Sequence, residues 1–298
     1  MTVPQPLKTG DQIALISTAR AINPDHLNQA IETLNSWGLK VVIGENLQKV
    51  SDQFAGTDSQ RANDLQNAIN DPNTKAILCF RGGYGSVRIL DQVDFTSLKD
   101  EPKWICGYSD VTVLHQKLAS MGLQSLHSTM PVNFAINSTK ALSTLKSALF
   151  GTSYSIEAPA HPKNKNGESV AEIVGGNLSI IYSLSGTDID LKTKGKILFI
   201  EDLDEYLYHV DRMMMNLKRS GKLKGLKGLI VGGMTDMNDN TIPFGKAAIE
   251  IIEEAVKEYN YPVAFGFPVG HIDDNQTIIN GASITFTVNE SGSNIKFN

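Results

Sequence analysis

The chain has 298 residues, 41% of them hydrophobic, a length and composition that suit one large α/β domain or two smaller ones. Its 27 basic and 32 acidic residues leave a net charge of −5, so no electrostatic footprint for nucleic acid is expected, and the lysines between 192 and 227 read as a solvated face. No apolar run reaches signal-peptide or membrane-spanning length, and Cys79 and Cys106 sit in apolar segments as buried thiols would, so a cytoplasmic protein without membrane partners is expected.

Ile13 to Ser17 reads as a short buried strand. Pro24 and Asp25 open a helix through Trp37, with Leu27, Ile31 and Leu34 at helical spacing and Gly38 as its stop. Lys40 to Ile43 is a second strand; Asp58 to Asn70 is a second helix, capped by Asp58 or Ser59; and Lys75 to Phe80 is a third strand. Short apolar strands alternating with helices predict a mostly parallel sheet covered on both faces. Such sheets bind ligands beyond the carboxyl ends of their strands.

Two chemically rich segments fall at such ends. The first is Arg81-Gly82-Gly83-Tyr84-Gly85-Ser86. Its glycines allow a tight turn with exposed N–H groups, suited to a phosphate, a carboxylate or an oxyanion, or serving the fold alone. The spacing matches neither the dinucleotide fingerprint nor a P-loop. Arg81 either clamps a carboxylate or sits at a solvated strand end. The second segment is Cys106-Gly107-Tyr108-Ser109-Asp110, between the strand-like Trp104-Ile105 and a helix pattern from Val111 to Met121. A serine at a strand-to-helix junction can present its hydroxyl beside freed backbone donors, the geometry a nucleophile needs, although the Gly-x-Ser-x-Gly spacing is absent. His115, six positions later, reads as a packed or surface helix residue rather than the base for that serine.

Gln124 to Leu126 is a further strand, leading into a loop from His127, and Asn137 to Phe150 is a helix. Residues 151–168 are polar and weakly patterned, and read as a connection between a domain at 1–150 and a second at 169–298. The second opens with Ala171 to Val174 and Gly175-Gly176, after which Asn177 caps a short helix. The strand Lys196 to Ile200 ends in Glu201-Asp202, with Asp204 and Glu205 close behind; a helix follows to Arg219. A strand at Leu226 to Val231, a helix at Phe244 to Tyr259 and a strand at Pro262 to Phe265 precede Gly270-His271, a histidine presented at a strand end. The tail from Gln276 to Phe297 reads as antiparallel strands. Two cysteines and no clustered histidines predict no metal site.

Taken in order, Arg81-Gly82-Gly83-Tyr84-Gly85, Gly107-Tyr108-Ser109-Asp110, Gly175-Gly176-Asn177-Leu178, Ile200-Glu201-Asp202 with Asp211-Arg212, and Gly270-His271 with Asn275 and Gly281 resemble the LD-carboxypeptidase family of serine peptidases. That family also includes microcin C immunity peptidases. The resemblance implies a flavodoxin-like N-terminal domain and a mixed α/β C-terminal domain with a swivelling-type β-barrel element. It implies a Ser–His–Glu triad of Ser109, His271 and Glu201, with Glu205 the runner-up for the acid, and oxyanion donors at Gly83 and Asp110. Arg81, Tyr84, Asn177 and Glu205 become candidate substrate-binding residues. The implied activity is release of the terminal D-alanine from murein tetrapeptides in cell-wall recycling, with no metal or cofactor, by a homodimer. The alternatives are an immunity-type peptidase acting on an aminoacyl-nucleotide and a non-catalytic module binding a small anion. The chain departs from the family's usual pattern at Ser128-Thr129-Met130 and at Ile278-Ile279-Asn280-Gly281, which bears on substrate rather than on the triad.

Overall fold

The computed structural model describes residues 1–297. They form two compact units, Met1–Ser153 with Asp273–Asn280, and Tyr154–Ile272 with 281–297. Among the described residues no helix is long and apolar enough to cross a membrane.

The first unit runs β1 (Gln12–Ile16), α1 (Asp25–Ser36), β2 (Lys40–Ile43), α2 (Asp58–Asn70), β3 (Thr74–Cys79), α3 (Ser86–Ile89), β4 (Trp104–Gly107), α4 (Thr112–Ser120), β5 (Ser125–His127) and α5 (Thr139–Phe150). The second holds β6 (Tyr154–Pro159), β7 (Gly167–Asn177), α6 (Leu178–Ser183), β8 (Ile197–Leu203), α7 (Leu207–Arg219), β9 (Gly228–Thr235), α8 (Ala248–Val256) and β10 (Val263–Phe265). The chain then returns to the first unit for β11 (Ile278–Asn280) and ends in the second with β12 (Ser283–Asn289) and β13 (Gly292–Phe297).

The first sheet has the order β11-β5-β4-β3-β1-β2. All its pairings are parallel except β11 with β5. Its central strands are continuous apolar runs because both faces are covered: Ile13 to Ile16, Ala76 to Cys79 and Trp104 to Gly107 are buried throughout. Packed against them, Ala62, Leu65, Ala68 and Ile69 of α2 and Leu114 and Leu118 of α4 complete the core. Thr57 caps α2, rather than Asp58 or Ser59: its hydroxyl accepts from Gln60 N while the Gln60 side chain takes up Thr57 N–H. Such a reciprocal cap contributes about 1 kcal/mol.

The second sheet has the order β10-β9-β8-β7-β12-β13-β6 and is parallel from β10 to β7, then antiparallel. Against it, α7 buries Val210, Met213, Met214 and Leu217 at helical spacing. Two features differ from the sequence expectation. Within 151–168, read as a connection, Tyr154–Pro159 forms β6, paired with β13, because Ile156 and Ala158 alternate inward. Within 169–298, residues Asp273–Asn280 cluster with the first unit, where Ile278 pairs with His127.

Candidate active site

Ser109 follows β4 directly and opens a single 3₁₀ turn, Ser109–Val111, that leads into α4. Its φ of +62° is left-handed, uncommon for a residue with a Cβ and costing of order 1 kcal/mol or more. Such a turn lifts a side chain away from the helix that follows it. Gly82 after β3 lies hard against it: a Cβ there would stand 3.0 Å from Ser109 Cβ and 3.2 Å from Ser109 Oγ. Any side chain at position 82 would occupy the space over the hydroxyl. The neighbouring Gly83 has φ +114°, also left-handed. Among the described residues neither Gly83 N–H nor Asp110 N–H donates a hydrogen bond within the protein. Both are therefore available to an oxygen at this loop.

Side chains tie the two loops together. Asp110 is buried, and its Oδ2 accepts from Ser86 N at 2.8 Å. Burial raises its carboxyl pKa, against the lowering effect of that bond and of Arg61 and Arg20. Ser86 Oγ in turn lies 2.7 Å from Thr18 Oγ1. Arg61, wholly buried, donates to Thr18 O at 2.7 Å and Gly85 O at 3.0 Å and pairs with Asp58. The strand-end loops after β1, β3 and β4 are thus one hydrogen-bonded assembly. Behind it, His115 is fully buried with Nε2 2.8 Å from Gly107 O and Nδ1 2.9 Å from Ser125 Oγ. Burial pulls its pKa down to about 4, so it stays neutral and buttresses the segment before Ser109.

In the second unit, Glu201 at the end of β8 is completely buried and its Oε2 lies 2.6 Å from His271 Nδ1. The same oxygen accepts His271 N–H at 3.2 Å, and the His271 carbonyl accepts from Thr235 Oγ1 at 2.8 Å. Gly270 makes the approach possible: its φ is +103°, and a Cβ there would stand 2.5 Å from both Cβ and Oε2 of Glu201. Burial lowers the basicity of His271, but the charge and hydrogen bond of Glu201, with Asp202 behind, outweigh it, and the net shift is upward. With Nδ1 donating to the carboxylate, Nε2 carries the lone pair that takes up a proton. Asp202, the next residue, accepts from Asn177 Nδ2 and Ser179 N, each at 2.9 Å; burial first, and Glu201 second, push its pKa up to about 7.

The remaining candidates divide. Arg81 is half-buried and donates to Ala21 O at 3.0 Å, and Tyr84 is exposed beside Phe54. Asn177 is buried and engaged within the fold, its Oδ1 accepting from Ile180 N as the α6 cap and its Nδ2 held by Asp202. Glu205 lies 2.5 Å from His209 Nδ1, one helical turn on, so it has a partner of its own. Arg88, in α3 after the glycine run, pairs with Asp58. Two contributors escape the sequence reading. Ser86 stands out there only as the end of the glycine run. Arg20 belongs to no motif, although it follows β1 in the same way that the glycine and serine segments follow β3 and β4.

A family model described as the LD-carboxypeptidase N-terminal domain matches residues 13–128, and one described as the LD-carboxypeptidase C-terminal domain matches 170–286. The "Probable murein peptide carboxypeptidase" of Bacillus subtilis is 32% identical over 297 residues, covering 96% of this chain and 92% of its own. A crystal structure of the muramoyltetrapeptide carboxypeptidase from Oxalobacter formigenes superposes with a TM-score of 0.87 at 26% identity, covering 96% of this chain and 98% of that one. The MccF-like protein of Bacillus anthracis gives a TM-score of 0.85 at 24% identity over 100% of this chain and 99% of its own, a likeness of fold alone. Two matched domain models in sequence order and a relative of 32% identity along nearly the whole chain establish that it belongs to the LD-carboxypeptidase family.

Proposed function

We propose that this protein is a serine LD-carboxypeptidase that releases the terminal D-alanine from murein tetrapeptides. Family membership supports the reaction class, and the name of the Bacillus subtilis relative supports the substrate. The observation that carries the chemistry is the Glu201–His271 pair, a buried carboxylate 2.6 Å from Nδ1 of an imidazole. An imidazole so oriented accepts a proton at Nε2 and is stabilised once charged.

In this reading Ser109 is the nucleophile, since a serine hydroxyl needs a base and His271 supplies it. Ser109 Oγ attacks the carbonyl carbon and its proton passes to His271 Nε2. The N–H groups of Gly83 and Asp110 receive the oxyanion. Collapse breaks the C–N bond, and His271 protonates the departing D-alanine nitrogen. Water, deprotonated by the same histidine, then cleaves the ester and regenerates Ser109. Arg81, Tyr84 and Glu205 are read as substrate-binding residues, and Asn177 as the group that holds Asp202 behind Glu201.

The first unit is read as flavodoxin-like, supported by its strand order β2-β1-β3-β4-β5. The antiparallel half of the second sheet, β7-β12-β13-β6, is the candidate for a swivelling-type β-barrel element. A cytoplasmic homodimer is part of the same proposal, and the two buried unbridged thiols support the reducing compartment.

The test is mass spectrometry of a diaminopimelate-containing tetrapeptide incubated with wild-type protein and with Ser109→Ala. D-alanine released by wild type alone is expected, the variant losing about 10⁶-fold in kcat as serine hydrolases stripped of their nucleophile do. Equal release by both proteins overturns the role of Ser109, and release by neither overturns the substrate.

A further inference from the structure

The strands β4, β3 and β1 are neighbours in the first sheet, and the loops that follow them carry Ser109, the glycine run and Arg20. Contacts link the three in that order. Gly82 lies against Ser109, and Gly83 lies against Arg20: a Cβ on Gly83 would stand 2.5 Å from Arg20 Cδ and 3.0 Å from its Nε. The stem of Arg20 therefore covers the glycine whose N–H is a candidate oxyanion donor. Its backbone is anchored, since Arg20 forms a β-bridge with Phe54 and its carbonyl accepts from Ser17 Oγ at 2.9 Å. The side chain is not committed in the same way, and the residue is exposed.

A second cation stands close by. Arg81 is held below its usual basicity by burial and then by the charge of Arg20. Among the described residues neither arginine forms a salt bridge, whereas Arg61 and Arg88 both meet Asp58. Asp110 feels the charge of Arg20, but its Oδ2 is occupied by Ser86 N. Two neighbouring guanidinium groups without a salt bridge repel each other, and an anion placed between or before them relieves that repulsion. Guanidinium geometry matches a carboxylate's two oxygens.

A peptide cut at its last bond carries its terminal carboxylate three bonds beyond the attacked carbonyl carbon, about 4 Å along the chain. Serine, glycine donor and arginine thus stand side by side, as do the attacked carbonyl carbon and the two groups that branch from it, its oxygen and the arm that ends in the carboxylate. We propose that Arg20 binds the terminal carboxylate of the substrate, with Arg81 at its side, and so confines cleavage to the last residue. This rests on the carboxypeptidase reading above and adds the group that enforces it.

The test compares a tetrapeptide with its terminal carboxamide, for wild type, Arg20→Gln and Arg20→Lys. Glutamine keeps part of the stem over Gly83 and removes the charge, and lysine restores it. Wild type should favour the acid over the amide in kcat/KM by about 30-fold, the scale of a lost charged hydrogen-bond pair, and Arg20→Gln should abolish that preference by slowing the acid alone. Arg20→Lys should recover part of it. An Arg20→Gln variant that keeps the preference, or that slows acid and amide equally, overturns the assignment while leaving the carboxypeptidase reading intact. Cleavage of neither peptide by wild type sinks that reading and this one together.

Discussion

Ser109 is placed by backbone: a left-handed φ, a glycine pressed against its Cβ, and loops sewn together by Asp110, Ser86 and Arg61. His271 is placed by charge: a fully buried carboxylate takes both its Nδ1 and its own N–H. The two regions are therefore vulnerable to different changes, although Gly270 makes the second sensitive to an added methyl as well. In the first unit an added methyl does damage that no change of charge is needed to produce. In the second, a swap that keeps every atom's position but removes one charge does the damage.

Apart from removal of the nucleophile itself, the largest effect should come from the charge-built side. Glu201→Gln preserves shape but no longer stabilises the imidazolium; the corresponding change in a Ser–His–Asp hydrolase lowers kcat about 10⁴-fold. A pH profile gives the sign. His271 must be neutral to accept a proton, and its pKa is raised above the ordinary 6.5, so kcat/KM should rise with pH through a midpoint above that value. In Glu201→Gln burial is left as the dominant influence, and the midpoint should move down. A variant with an unmoved midpoint would show that the carboxylate does not govern this histidine.

Gly82→Ala probes the backbone-built side. Its Cβ would lie 3.0 Å from Ser109 Cβ, so the nucleophile must shift by a few tenths of an ångström. Loss of about 10- to 100-fold in kcat is expected from such a misplacement, with the midpoint of the pH profile unchanged. Wild-type activity in the Gly82→Ala variant would break the contrast between the regions.

The smallest effect is on stability. Asp110→Ala strips the buried Ser86 N–H of its acceptor, at a cost of about 1–3 kcal/mol in urea denaturation. If stability is unchanged, the two loops are held by other contacts, and the Asp110 side chain is not the tie described above.

Much of this was legible before any coordinates. Strands and helices of the first unit fell where apolar periodicity and turn residues put them, because those signals act over a few neighbours. The packed state of His115 was also one of the readings open to its place on a buried helix face. Misplaced features had weaker local signals. The cap of α2 moved to Thr57, since Gln60 three residues on completes a capping box that a reading of Asp58 alone overlooks. The helix expected over Phe244 to Tyr259 is shorter at both ends, α8 running Ala248–Val256.

The sequence by itself determined the alternation of elements, the presence of a serine and a histidine at strand ends, and the family, because each is written in short ordered segments. Tertiary structure alone decided which carboxylate meets His271. Glu201 and Glu205 are four residues apart and chemically equivalent, yet one meets His271 at 70 residues' separation and the other pairs with His209 a turn away. It also decided that Arg20 covers Gly83 and that Asp273–Asn280 returns to the first unit. Contacts between residues far apart in the chain depend on how strands order within a sheet, and no local pattern of side chains specifies that order uniquely.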